Sequence, residues 1–166
     1  MHVTKSRLVR SVPLLAAAGI AAGLLVGPAA AAPSTPLCAS AQLVPHYVGS
    51  EGAAGTFYDH WQLTNVGTSC HTQGWVGALN FGSDGRPLPT TVHRTAGPSY
   101  PIVLTHGQHA SWSFGYTDPG VLGCTAENPV AMILTPPDNV SPVLASRGEP
   151  ACNGDLVYES PLVLGG

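Results

Sequence analysis

The sequence contains few charged residues and very few cations. Of 166 residues, six are Lys or Arg and nine are Asp or Glu, so that 9% are charged, against ~25% in ordinary globular domains. After residue 31 the chain has no lysine, and its remaining cations are Arg86, Arg94 and Arg147. With nine carboxylates and neutral histidines, this part has a formal charge of −6. Nucleic acids and anionic membrane surfaces are therefore poor partners, because clusters of Lys and Arg bind both.

Segments with helical periodicity are also lacking after residue 32. The 20 glycines and 16 prolines of the chain recur every few residues, and short β-rich runs lie between them. This pattern predicts an all-β sandwich or barrel. The predicted strands are 40–48, 55–65, 70–80, 87–94, 100–105, 108–116, 129–135, 142–147 and 155–163.

The sixth of these strands gives the clearest prediction of faces. Ala110, Trp112 and Phe114 fall on one side of it. Ser111 and Ser113 fall on the other side. Strict alternation of this kind is typical of a strand with one face in the core and the other in water.

The N-terminal residues have the pattern of a secretory signal. Lys5, Arg7 and Arg10 precede an apolar stretch over 12–26, and small residues end at Ala31. The apolar stretch is shorter than the ~20 residues of a membrane span, so a retained anchor is the less favoured alternative. We expect cleavage near Ala31 and a secreted, extracellular product with no membrane insertion after cleavage. The predicted organisation is a signal peptide over 1–31, a short tail over 32–37 and a single β-sandwich domain over 38–164.

The four cysteines are Cys38, Cys70, Cys124 and Cys152. An even number in an exported chain indicates two disulfides, and three pairings are open. A zinc site is disfavoured, since no two cysteines have the short spacing of a zinc-ligand pair.

Two histidines, His106 and His109, flank a predicted turn. Two imidazoles at a hairpin tip could bind Cu(II), Zn or Ni if a third ligand, such as His93, folded in. The favoured interpretation is an exposed turn histidine followed by a strand-start histidine, because the spacing alone supplies no third ligand. Metal binding at His106 and His109 is thus the alternative function, and no cofactor is expected.

The sequence offers little support for catalysis. Ser83 lies in a Gly-rich turn, but Phe81 breaks the Gly-x-Ser-x-Gly pattern of a nucleophile elbow. Asp59 and His60 are adjacent and lack a nucleophile. We expect Asp59 to cap a backbone group or face outward, and we expect the protein not to be an enzyme.

Trp61, Trp75 and Trp112 could line a sugar-binding face, because aromatic rings stack on pyranose rings. All three fall on predicted strands, so a place in the core is the favoured interpretation. The tract over 93–103 is the longest irregular stretch between strands. Loops on a rigid sandwich commonly carry binding residues, so this tract and the tip around His106 are the places to expect a binding surface.

An ordered set of residues resembles the secreted actinobacterial proteins of domain-of-unknown-function family 4232 (DUF4232). The set comprises Cys38, Gly52–Gly55, Tyr58, Leu63–Gly67, Cys70, Gly74–Gly77, Leu104, Gly107, Ala110, Trp112, Cys124 and Cys152. It spans roughly residues 38–160. Departures from the family pattern occur at Trp75 and Val76, and at His106 and His109.

The resemblance implies an Ig-like β-sandwich, export, and sequential disulfides that join Cys38 to Cys70 and Cys124 to Cys152. It implies no activity, since none is assigned to the family. We therefore expect an exported, non-catalytic binding or structural module of the cell envelope or secretome. Its partner would be an envelope protein or a polysaccharide, and the binding residues are unknown at this point.

Overall fold

The structure is a computed structural model that describes residues 35–88, 90–126, 128–145, 147, 148, 152 and 155–165, of which 90, 155 and 156 are described by their backbone alone. Within these residues the chain is almost entirely β. The strands are β1 Leu43–Ala53, β2 Thr56–Asn65, β3 Cys70–Thr72, β4 Gly77–Phe81, β5 Thr90–Arg94, β6 Ile102–Leu104, β7 His109–Thr117, β8 Ala131–Thr135, β9 Val143–Leu144, β10 Asp155–Glu159 and β11 Val163–Leu164. A 3-10 turn, Ser40–Gln42, precedes β1, and a four-residue helix α1, Pro119–Leu122, follows β7.

The strands form three sheets in the part of the chain described. The largest has the order β1-β2-β7-β10-β5, and β11 also pairs with β7. Its pairs are antiparallel except for β5 and β10, which run parallel. The smaller sheets are β3-β6 and β4-β8-β9.

One hydrophobic core lies against the inner face of the six-stranded sheet. Trp61 of β2 and Trp112 of β7 are buried and stack with ring centroids 6.0 Å apart. Leu104 of β6 and Leu134 of β8 are buried in the same core. The small sheets therefore close the core from the other side, which confirms the predicted all-β, Ig-like sandwich. The alternation of β7 is confirmed as well, since Trp112 and Phe114 are buried while Ser111 and Ser113 are half-buried.

Both predicted disulfides are present. Cys38 pairs with Cys70 and Cys124 pairs with Cys152. The first joins the segment before the 3-10 turn to β3, and the second joins the segment after α1 to the approach to β10. Each closes a loop of roughly 30 residues, for which the chain-entropy model gives about 3–4 kcal/mol of stabilisation.

Three predicted strands need correction. The strand over 70–80 is two strands in different sheets, because the chain turns at Gly74, whose φ of +111° suits only glycine. The strand over 155–163 is also two, β10 and β11, which pair with successive parts of β7. The strand over 40–48 starts later, after the 3-10 turn, and continues to Ala53 because its pairing with β2 continues that far.

The predicted signal peptide and residues 32–34 of the predicted tail lie outside the described residues. The rest of the tail runs alongside β3. The His71 N–H donates to the Pro36 carbonyl at 2.8 Å, and His71 Nδ1 lies 2.6 Å from the Thr35 carbonyl oxygen. Over the described ranges, the structure contains no helix with the length and apolar character that crossing a membrane requires.

Candidate binding surface

The outer face of the six-stranded sheet is the side opposite the core. Directly paired residues on neighbouring strands place their side chains on the same face. The pairing sets Tyr58 opposite Gly115, Gly115 opposite Tyr158 and Tyr158 opposite His93. These four residues form a row across β2, β7, β10 and β5 on the outer face, which we call the tyrosine row.

Gly115 leaves space above the sheet between the two tyrosines of this row. A Cβ atom at Gly115 would lie 2.9 Å from Cε1 of Tyr58 and 3.6 Å from Cβ of Tyr158. The Tyr58 ring therefore lies over the glycine, in space that any other side chain would occupy. Beyond it, the rings of Tyr158 and His93 lie 6.3 Å apart with an interplanar angle of 53°. The row thus presents aromatic rings in sequence across the sheet, and both tyrosines remain more than a third exposed.

A groove of about 450 Å³ runs beside the tyrosine row on the same face. We call it the sheet groove. Its lining includes residues Val48 and Gly49 of β1, Ser111 and Ser113 of β7, and Ser160. The short side chains of β7 form its floor, because glycine and serine leave room above the sheet. The volume lies within the ~300–1,000 Å³ of small-molecule sites.

A β-bulge shapes the rim of this groove. The register of β1 against β2 shifts between Tyr47 and Gly49, so Val48 is the extra residue. Bulges redirect side chains and recur beside binding sites. Here the bulge leaves Val48 exposed at the groove.

The polar groups that line the groove include serine hydroxyls, the imidazole of His60 and the carboxylate of Glu51. His60 Nε2 lies 3.3 Å from Oε1 of Glu51, and both side chains are substantially exposed. The Ser113 N–H donates to Oγ of Ser160 at 2.9 Å. Oγ of Ser111 is buried and has no hydrogen-bond partner among the described residues. Hydroxyl and imidazole groups of this kind both donate and accept hydrogen bonds.

The three arginines lie away from the outer face. Arg94 projects to the inner side of the sheet, where its Nε lies 3.9 Å from Oε2 of the buried Glu159. Arg147 lies 3.1 Å from Asp59, and Arg86 belongs to the turn before Pro87. The outer face therefore lacks the cations that would attract a polyanion, as far as the described residues show.

The structure places the adjacent residues Asp59 and His60 on opposite faces of β2. His60 faces outward to the sheet groove, whereas Asp59 points inward and is fully buried. The prediction that Asp59 caps a backbone group or faces outward is wrong. Its carboxylate instead pairs with Arg147, whose guanidinium lies 4.3 Å from the Tyr47 ring centroid.

The tryptophans and histidines considered as site residues lie in different parts of the sandwich. Trp61 and Trp112 are in the core, as expected, whereas Trp75 is half-buried at a second cleft. His106 is exposed at the turn, where its Nδ1 lies 3.3 Å from the Gly67 carbonyl oxygen, and His109 begins β7.

No group of three His, Cys, Asp or Glu side chains able to hold a metal occurs in the described part of the chain. His93 cannot supply the third ligand beside His109. His93 is aligned across the sheet with Gly115, which lies six residues beyond His109 along β7. At the rise per residue of a strand, six residues span roughly 20 Å. The metal hypothesis therefore gains no third ligand from the described residues.

The irregular tract over 93–103 does contribute to a cleft. Arg94 and Ser99 line a space of about 340 Å³ together with the turn at Gln73–Trp75 and with Pro137 and Asp138. The tyrosine row was not predicted from the sequence, although Tyr58 and Gly115 each lie in an alternating strand. The cross-strand register that brings them together is not visible in either segment alone.

The fold and its surface define a class of protein, namely a disulfide-stapled β-sandwich with a polar, aromatic outer sheet face. The chain belongs to the family described as domain of unknown function DUF4232, whose model matches residues 38–162. No curated protein and no solved structure matched the chain.

Proposed function

We propose that the protein is an exported, non-catalytic binding module that recognises a neutral polysaccharide through the outer face of its six-stranded sheet. The observation that carries this proposal is the tyrosine row lying beside the sheet groove. Pyranose rings have apolar faces that stack on aromatic side chains, and hydroxyls that exchange hydrogen bonds with polar groups. A surface that combines aromatic rings with a few convergent polar groups suits such a ligand.

The charge of the surface favours a neutral glycan over an anionic one. Glu51 is the charged residue beside the tyrosine row, through its pairing with Tyr58. An acidic rim repels polyanions, whereas it exerts no electrostatic repulsion on uncharged sugars. The serine hydroxyls in the groove supply donors and acceptors without charge, and His60 adds an imidazole.

Affinity electrophoresis tests the proposal directly. The mature protein is run through native gels that contain a soluble neutral glucan, galactan, mannan or arabinan. We expect retardation by at least one of them, and loss of that retardation in the double variant Tyr58→Ala/Tyr158→Ala. Tyr100→Ala is the matched control, because Tyr100 is exposed but belongs to a different groove. Unchanged mobility in every gel, or equal retardation of the double variant, would refute the proposed function.

Export has its own test. Expressed in its own host, the full chain should yield extracellular protein whose intact mass equals that of residues 32–166 less four hydrogens. Recovery of the uncleaved chain from the cell fraction alone would contradict export and would leave the binding experiment unaffected.

A further inference from the structure

A second cleft lies on the inner side of β5, away from the tyrosine row. We call it the Arg94 cleft. It has a volume of about 340 Å³, and its walls include Gln73, Trp75, Arg94, Ser99 and Asp138. These residues come from three separate segments, so the cleft exists only in the folded chain.

The walls of the Arg94 cleft are held by hydrogen bonds between these segments. Nε2 of Gln73 donates to the Ser99 carbonyl at 2.8 Å, which fixes the irregular tract onto the turn before β4. The Leu162 N–H donates to the Gly74 carbonyl at 2.8 Å. A site whose walls are fixed in this way loses little conformational entropy when a ligand binds.

The third segment is held in an unusual conformation. Asp138 has a φ of +58°, in the left-handed region that non-glycine residues seldom adopt. Next to it, the Asn139 side-chain amide donates to the carbonyls of Cys38 and Pro137, each at 2.9 Å. Backbone strain of this kind persists only where the surroundings enforce it, and it concentrates at functional sites.

Arg94 is the cation of the cleft. Its Cζ lies 5.6 Å from the centroid of the Trp75 ring, within the range of a cation–π contact. The guanidinium side chain is 64% exposed, and Glu159 is the one carboxylate within 4 Å of it among the described residues. Their separation of 3.9 Å is too long for a hydrogen bond.

Glu159 does not neutralise Arg94 at ordinary pH. Burial raises the pKa of Glu159 to about 8, although Arg94 and the Val76 backbone N–H each favour its charged form. Below that pH most Glu159 side chains are protonated. The guanidinium is then a positive charge without a paired carboxylate among the described residues, in a chain that has three arginines after residue 31.

Buried polar atoms without partners adjoin the same cleft. Nε1 of Trp75, Oγ of Ser99 and Oε1 of Glu159 have no hydrogen-bond partner among the described residues. Leaving a buried polar atom unpaired is costly, so such atoms are uncommon in folded proteins.

We propose that the Arg94 cleft binds a carboxylate that has a hydrogen-bond donor beside it. Arg94 would hold the carboxylate, since its planar fork of N–H groups matches the two carboxylate oxygens. Asp138 would accept a hydrogen bond from the neighbouring donor, and Trp75 would provide an apolar wall. A sugar acid and the C-terminal residue of a peptide both carry this pair of groups, the donor being a hydroxyl in the first and an amide N–H in the second.

NMR titration of the mature, oxidised protein tests this proposal with four probes. Two are acids, glucuronate and N-acetyl-alanyl-alanine. The other two are matched neutral molecules, glucose and N-acetyl-alanyl-alanine amide. We expect one or both acids to shift the signals of the Trp75 indole N–H and the Gly74 amide, and the neutral molecules to leave them unchanged. Shifts caused by glucuronate identify a sugar acid as the ligand class. Shifts caused by the peptide acid identify the C-terminus of a peptide as the ligand class.

Variants complete the test. Arg94→Gln should weaken binding of the responding acid roughly tenfold or more, which corresponds to ~1.4 kcal/mol. Arg94→Lys should have an intermediate affinity, because it keeps the charge and loses the fork. Arg86→Gln is the matched control, since Arg86 is more exposed and lies in a different turn. Absence of shifts with both acids, equal shifts with the neutral molecules, or full affinity in Arg94→Gln would overturn the proposal. None of these results bears on glycan binding by the tyrosine row.

Discussion

Glu159 makes the stability of this protein depend on pH in a direction unusual for a carboxylic acid. Its side chain is 1% exposed, and burial raises its pKa from 4.5 to about 8. The unfolded chain releases this proton near pH 4.5, whereas the folded chain keeps it up to about pH 8. The folded state therefore binds more protons between these values, so the contribution to stability is complete below pH 4.5 and decreases as the pH rises to about 8.

The size of the effect follows from the same shift. One pKa unit corresponds to ~1.4 kcal/mol, so the free energy of unfolding should decrease by on the order of 4 kcal/mol between about pH 5 and pH 8. Glu159→Gln retains the shape of the protonated acid and cannot ionise. The variant should therefore match the wild type near pH 5 and be the more stable protein near pH 8.

Urea denaturation at a series of pH values, with the disulfides intact, measures this difference. Subtracting the variant from the wild type at each pH cancels the contributions of all other ionisable groups, because these groups are the same in both proteins. Glu51→Gln is the control, because it makes the same substitution at a carboxylate that is 70% exposed. A wild-type minus Glu159→Gln difference that stays constant across this range would refute the reasoning.

Three further changes have expected outcomes. Asp59→Asn should lower the free energy of unfolding by about 1–3 kcal/mol, because it replaces the buried carboxylate that pairs with Arg147 by an amide; a loss below about 0.5 kcal/mol in urea denaturation would contradict this. Replacing Cys38 and Cys70 together by Ser should cost about 3–4 kcal/mol, and an unchanged unfolding midpoint would show that this disulfide contributes nothing. Gly115→Ala should destabilise the fold by about 1–3 kcal/mol through overpacking and weaken retardation in glycan gels, since its Cβ would lie 2.9 Å from a tyrosine ring carbon. Retardation equal to that of the wild type would mean that the ring position does not matter for binding.

Several parts of the fold were predictable because their causes are local. The alternation of β7 placed Trp112 in the core and Ser113 on the outer face, as the structure confirms. The Gly-rich turn that holds Ser83 was predictable for the same reason, and Gly85 within it has a positive φ. The cysteine count predicted two disulfides, and family resemblance supplied their pairing.

The predictions that were wrong concern residues whose structure depends on contacts with segments distant in the sequence. The predicted strand over 70–80 is continuous by composition, but β3 pairs with β6 and β4 pairs with β8. Asp59 was expected to cap a backbone group or face outward because aspartate is seldom buried. A residue far away in the sequence, Arg147, makes its burial possible.

By itself, the sequence determined the all-β class, the number of disulfides and the shortage of cations that disfavours nucleic acid, since these depend on composition and on periodicity within one strand. The tertiary structure alone decided where the candidate binding groups meet. Tyr58, Gly115 and Tyr158 belong to strands far apart in the chain, and their row depends on the register of two strand pairs. Arg94, Trp75 and Asp138 likewise meet only when three segments fold together. Cross-strand register and desolvation depend on long-range packing, and no single segment of the sequence encodes them.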